Sequence, residues 1–162
     1  MQTELDSLNI RPADLTGPDN DAVSRLVEAY LRQTELEKVL YLGEAHVGAG
    51  LPDRYRAEVD NPARAYENAV VYLAELGSPV GVVVVQQNMT ASEIKRVWVD
   101  PSARGLRVGS ALLDAVLSER TRPLRLTVWD WRADAVKLYR ARGFIPVESW
   151  EDRPRLLCME LR

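Results

Sequence analysis

Val97-Trp98-Val99-Asp100-Pro101-Ser102-Ala103-Arg104-Gly105-Leu106-Arg107-Val108-Gly109-Ser110-Ala111-Leu112-Leu113 is the stretch that decides how this chain is read. A strand ends at Val99 and Pro101 turns the chain. A loop carrying Gly105 and Gly109 then runs into a helix with the apolar face Val108, Ala111, Leu112, Ala115 and Val116. Unpaired N–H groups at such a helix start lie at the positive end of its dipole and make an anion site. Glycines let a phosphate approach the backbone, and Arg104 and Arg107 add fixed positive charge. The same residues also suit a plain tight turn with solvated arginines, and locally both readings stand. No Gly-Lys-Ser/Thr and no complete G-x-G-x-x-G occurs, so the loop is neither a Walker A loop nor a dinucleotide fingerprint.

Upstream, Glu93 to Val99 reads as a strand in which Ile94 belongs to one alternation and Val97 and Val99 to the other. A one-residue phase slip predicts a β-bulge around Lys95 to Val97, although burial on both faces breaks alternation too. Asn68 to Leu76 and Val80 to Gln87 are apolar and β-branched, with Gly77-Ser78-Pro79 as a hairpin turn between them. Ser7 to Arg11 reads as a first strand. Val23, Leu26, Val27, Tyr30 and Leu31 mark one helix face, with Asp19 to Asp21 as capping candidates. From Glu35 to about Pro62 the pattern predicts short helical pieces broken by Gly43, Gly48, Gly50 and Pro52, a place for binding loops.

Downstream, Leu124 to Trp129 reads as a strand and Ala133 to Arg142 as a helix. Gly143-Phe144 ends that helix with a left-handed glycine and an apolar residue folding back. Ile145 to Trp150 and Leu156 to Leu161 read as closing strands. The order predicts a mixed α/β, three-layer fold in one domain spanning 1–162.

Composition narrows the function. The 162 residues are 46% hydrophobic and 28% charged, the balance of a globular protein. With 21 basic and 24 acidic residues the net charge is −3, which argues against a general nucleic-acid binder. One cysteine, Cys158, excludes an intramolecular disulfide, and one histidine, His46, excludes the usual Cys/His zinc sets. Apolar runs such as Val82 to Val85 are far too short for a membrane span, and the polar, acidic start is unlike a signal peptide. The expectation is a cytoplasmic protein without metal, nucleic-acid or membrane partner.

Two motifs in this order and separation, V-x-V-D-P-x-x-R-G-x-R-V-G-x-x-L-L (Val97 to Leu113) and A-x-x-L-Y-x-x-x-G-F (Ala135 to Phe144), resemble the GNAT N-acetyltransferase superfamily. The resemblance covers about Ala91 to Trp150 and implies a fold whose fourth and fifth strands splay to admit acetyl-CoA. The pantetheine arm would pair with the backbone of Val97, Trp98 and Val99, a form of strand addition. The pyrophosphate would lie on Arg104, Gly105, Leu106, Arg107, Val108, Gly109 and Ser110, with Ala135 and Arg132 completing the cofactor set. Two residues depart from the family pattern. Arg107 stands where glycine is usual, which suits the loop if its φ stays negative. Arg132 stands where asparagine is frequent, and a guanidinium cannot accept a hydrogen bond.

The resemblance also implies direct attack by a primary amine on the thioester in a ternary complex. An N–H at the bulge near Val97 to Val99 would stabilise the oxyanion. Tyr139 matches the family tyrosine that serves the departing thiolate. Glu93 falls where some members place a general base, although pairing with Lys95 or Arg96 fits it equally, and water can replace it. Tyr30, Tyr41, His46, Tyr55 and Glu58 are candidates for the acceptor pocket, whose ligand is a small-molecule or peptide amine. Monomer and homodimer both suit the family. An acyl-CoA-binding sensor or assembly module with weak catalysis is the competing function.

Overall fold

The computed structural model describes residues 7–44, 50–119 and 123–162. His46, Arg120 and Arg122 lie outside the described residues. Among the described residues seven strands form one sheet in the order β1-β2-β3-β4-β5-β7-β6. They are β1 (Asn9–Pro12), β2 (Ala69–Leu76), β3 (Ser78–Gln87), β4 (Ser92–Val99), β5 (Leu124–Trp129), β6 (Ile145–Val147) and β7 (Leu156–Leu161). Every neighbouring pair is antiparallel except β4 and β5. Helices α1 (Asp19–Leu42), α2 (Asp53–Asp60) and α3 (Pro62–Ala65) cover one face, where Val23, Leu26 and Val27 pack on Val71, Leu73, Val82 and Val84. On the other face, α4 (Val108–Glu119) and α5 (Ala133–Ala141) bury Leu112, Val116 and Tyr139 against Val83, Val85 and Leu126. The result is the mixed α/β, three-layer arrangement expected from the element order.

β3 shows why alternation fails at the centre of this sheet. Gly81 to Val85 are all buried, because consecutive side chains enter the two opposite cores. The hairpin before it closes more tightly than the expected three-residue turn: Leu76 pairs with Ser78 around Gly77, whose φ is +76°. Gly81 itself is needed for packing. A Cβ there would stand 3.0 Å from Val108 Cγ1, 3.1 Å from Leu112 Cδ1 and 3.2 Å from the Trp98 carbonyl oxygen. Gly81→Ala should therefore lift the start of α4 off the sheet and cost about 1–3 kcal/mol by overpacking. Urea unfolding at matched pH checks this, and an unchanged midpoint would show that α4 has room to move.

The bulge falls where the phase slip put it. Val82 faces Trp98 but Val84 faces Lys95, so Val83 alone opposes both Arg96 and Val97. Arg96 takes a left-handed backbone, φ +57°. A bulge bends its strand and increases the local twist. β4 pairs with β5 only through Ser92, Glu93 and Ile94, and beyond the bulge the two strands diverge.

The segment after Glu35 differs from expectation. Instead of breaking up at once, α1 runs unbroken for 24 residues to Leu42 and ends on Gly43 at φ +67°, and the expected short pieces come only after Pro52, as α2 and α3. The buried face of α1 continues past Leu31 through Thr34 and Lys38, polar residues that carry no hydrophobic periodicity. Asp19 lies in the first turn rather than at a side-chain cap, and its carboxylate accepts two hydrogen bonds from Arg11. The end of α5 follows the sequence closely. Gly143 has φ +93°, the Phe144 N–H donates to the Tyr139 carbonyl, and the Phe144 ring is 1% exposed.

Candidate active site

Where β4 leaves β5, a cleft of about 800 Å³ opens between them. Its walls come from α1, β4, the start of α4, the end of β5, α5 and the segment before β7. Backbone groups of β4 beyond Ile94 have no β5 partner, so this inner strand offers the unpaired N–H and C=O groups of an edge.

Of the residues singled out in the sequence, Val97, Trp98, Val99, Arg104, Gly109, Arg132, Ala135, Tyr139 and Glu93 all line this cleft. Val108 has its side chain in the core, which leaves only its N–H to the loop. Gly105, Leu106 and Arg107 are exposed and Ser110 is half-buried. The Ala111 N–H donates to the Arg107 carbonyl, so Arg107 caps α4, and the N–H groups of Val108, Gly109 and Ser110 have no acceptor within the helix. Here the expectation of a negative φ at Arg107 is corrected: its φ is +63°, the conformation that glycine adopts at no steric cost. The loop thus keeps its left-handed step, with Gly105 at φ +81°, and holds it at one non-glycine position. Arg104 donates from Nε to the Val99 carbonyl at 3.3 Å and lies 4.8 Å from the Trp98 ring centroid, closing the end of β4. A Cβ on Gly109 would meet only ordinary contacts, at 3.8 Å or more.

Tyr139 projects from α5 into the junction, 6% exposed, with its ring 5.9 Å from Phe144 in an edge-on contact. Burial pushes its phenol well above the usual value, and Tyr30 adds to the rise. The hydroxyl therefore keeps its proton and is a donor. Tyr30 reaches the same junction from α1, edge-on to Trp98, with the Arg132 guanidinium 5.3 Å from its ring centre.

Arg132 is occupied. Its Nε donates to Glu37 Oε1 and an Nη donates to Thr34 Oγ1, both at 2.8 Å. The Trp131 indole N–H donates to the same Glu37 oxygen at 2.7 Å, and Gln33 Nε2 donates to the other oxygen, Glu37 Oε2, at 3.0 Å. Burial works against the Glu37 charge, but the Arg132 and Trp131 hydrogen bonds outweigh it and hold the carboxyl below its ordinary value. This cluster pins α1 to the β5–α5 junction. Glu93 sits near the paired end of β4 and β5, with its carboxylate 3.8 Å from the Lys95 ammonium.

Among the acceptor candidates, Tyr30 and Tyr55 line the cleft, while Tyr41 stacks on Trp131, which stacks on Trp129. Glu58 turns to β4 and takes Arg96 in a two-point ion pair at 2.8 and 2.9 Å. Thr34, Glu37, Lys38 and Arg153 line the cleft without having been singled out in the sequence. The first three stand at positions that continue the Val27, Tyr30, Leu31 face, but as polar residues they carry no apolar signal. Arg153 carried none.

A sheet splayed at a bulge, with a helix start facing the gap, is the arrangement that the resemblance implied. Residues 67–146, just under half of the chain, match the family model for the GNAT acetyltransferase domain, the family that the two sequence motifs resemble. No match to a curated protein is found. Among solved structures, a GNAT-family acetyltransferase from Staphylococcus aureus is 17% identical, with 96% of this chain and 100% of that one covered, at TM-score 0.67. An acetyltransferase from Streptococcus agalactiae is 13% identical over 94% and 96% of the two chains, at TM-score 0.68. A GNAT-family acetyltransferase from Elizabethkingia anophelis, solved with acetyl-CoA bound, is 15% identical over 96% and 98%, at TM-score 0.61. These likenesses establish the fold. Among the described residues no helix is long and apolar enough to cross a membrane, and no group of three or more metal-ligating side chains occurs.

Proposed function

We propose that this chain, as one domain over 1–162, transfers an acetyl group from acetyl-CoA to a primary amine by direct attack in a ternary complex. The observation that carries the reading is the divergence of β4 from β5 at the Arg96–Val97 bulge, opening beside the uncapped N–H groups of α4. The residues present fit acetyl-CoA. An unpaired β4 edge at Val97, Trp98 and Val99 matches the amides of the pantetheine arm. Val108, Gly109 and Ser110 supply N–H donors for the pyrophosphate, with Gly105 and Leu106 shaping the loop and Arg104 and Arg107 supplying charge.

The cosubstrate supplies an activated acyl group as a thioester. The amine nitrogen forms a C–N bond to the carbonyl carbon as the C–S bond breaks. Backbone N–H groups at the bulge face the carbonyl oxygen as negative charge develops on it. Tyr139 donates a hydrogen bond to the departing sulfur, and Glu93 or a water takes the proton from the amine. Arg132 and Ala135 form the α5 wall of the cofactor side, and Arg132 acts there while held by Glu37 and Thr34.

Calorimetric titration with acetyl-CoA tests the reading. Saturable binding is expected for the native chain, lost in a variant carrying Arg104→Ala and Gly109→Trp, which removes a charge and adds bulk at a residue lining the cleft. Absence of binding to the native chain would overturn it. Binding without thiol release across a broad amine panel would favour the sensor or assembly module instead.

A further inference from the structure

We infer that the acceptor half of the cleft is built for an amine that also carries a carboxylate, received by Lys38. This rests on the acyl-transfer reading for its place in the reaction, but its geometry stands by itself.

Lys38 is 4% exposed, although lysine is among the residues least often buried. Its ammonium has three N–H donors, and among the described residues its hydrogen-bond partner is Glu35 Oε1 at 3.2 Å. Two π faces also flank it, with the Tyr55 ring centre at 5.9 Å and that of Trp129 at 5.8 Å. Rings favour a cation but accept no conventional hydrogen bond. Lys38, Tyr55 and Trp129 all line the cleft, so the unfilled donors of a desolvated ammonium border the space an acceptor would take. A ligand carboxylate supplies the missing oxygen acceptors, with the added strength of a charged pair.

The balance of charge defines the rest of the ligand. Around this half of the cleft the ionised groups pair as Glu35 with Lys38, Glu93 with Lys95 and Glu151 with Arg153. An excess of acid would attract polycations and an excess of base would attract polyphosphates, and the site has neither. A small zwitterion suits such alternating charge. Position along α1 sets its length: Lys38 is eight residues beyond Tyr30, a rise of about 12 Å. The Lys38 side chain leans back toward the helix start, as its contact with Glu35 requires, so the gap to be bridged is shorter. An amino acid and a short peptide share this chemistry.

Calorimetry on the full-length protein tests it with L-leucine, L-phenylalanine and glycyl-L-leucine, each beside its C-terminal amide, and with isoamylamine and phenethylamine. The carboxylate forms are expected to bind at least tenfold more tightly than the amides and simple amines. Lys38→Met should erase that preference and Lys38→Arg should restore part of it. The stronger of the leucine and glycyl-leucine arms tells free amino acid from peptide. Equal binding of acid and amide, persistence of the preference in Lys38→Met, or no binding of any carboxylate probe would overturn the inference. The wild-type series decides it even if a variant fails to fold. If the carboxylate preference holds but acetyl-CoA neither binds nor is consumed, the transferase reading falls and the carboxylate site stands.

Discussion

Tyr139→Phe should lower the rate of acetyl transfer about a hundredfold or more, the usual scale for removing a positioned proton donor, while leaving the acetyl-CoA dissociation constant within about twofold. The expectation comes from the hydroxyl's surroundings. Burial raises the phenol's pKa, so it stays protonated across the working pH range. A thiol ionises near pH 8.5, well below a phenol, so the donor stabilises the leaving thiolate through a hydrogen bond more than by complete transfer. Phenylalanine keeps the ring, its contact with Phe144 and nearly all its volume. A loss of rate in this variant is therefore a loss of the hydroxyl. Single-turnover thiol release measures it, with calorimetry as the binding control. A rate within threefold of wild type would remove Tyr139 from the reaction.

Glu58→Ala should cost about 3 kcal/mol of stability, the lower end for breaking a buried ion pair by removing one partner. The two side chains are 16% and 17% exposed, and the pair is held by two hydrogen bonds. Glu58 also accepts from the Tyr66 hydroxyl at 2.7 Å, so its removal strands the buried Tyr66 donor and the part-buried Arg96 guanidinium. Arg96 is the left-handed residue of the bulge, and its link to α2 holds β4 bent at the point where the cleft opens. The variant should therefore lose turnover more than acetyl-CoA affinity. Urea unfolding gives the stability and steady-state kinetics the split.

The pair also has a pH signature. Burial raises the Glu58 pKa, but the Arg96 hydrogen bonds and charge outweigh it, and the net direction is down. A carboxyl depressed in the folded state stabilises it above the unfolded value, and that stability fades as pH falls through the folded value. The gap between wild type and Glu58→Ala should accordingly narrow in acid. A gap under 1 kcal/mol at neutral pH would show that the bulge does not depend on this pair.

Much of the candidate site's backbone was legible because its signals are local. The break in alternation between Ile94 and Val97 marks the bulge, since one extra residue switches every later side chain to the other face. Gly143-Phe144 marks the end of α5, since a left-handed residue followed by an apolar one is a property of a few consecutive positions. The loop from Arg104 to Ser110 is likewise one continuous segment, although the left-handed backbone of Arg107 was not legible, because arginine carries no preference for it.

The sequence by itself determined the family motifs, the order of elements, the bulge and the helix start after it, all written in short-range spacing. The tertiary structure alone decided that α1 runs on to Leu42 with Thr34, Glu37 and Lys38 turned inward. Those polar residues are tolerated inside because Trp131 and Arg132, nearly a hundred residues later, hydrogen-bond Glu37 and Thr34, while Tyr55 and Trp129 flank Lys38. Burying a polar group is costly until its partner is in place, and partners that distant meet only when the sheet has formed.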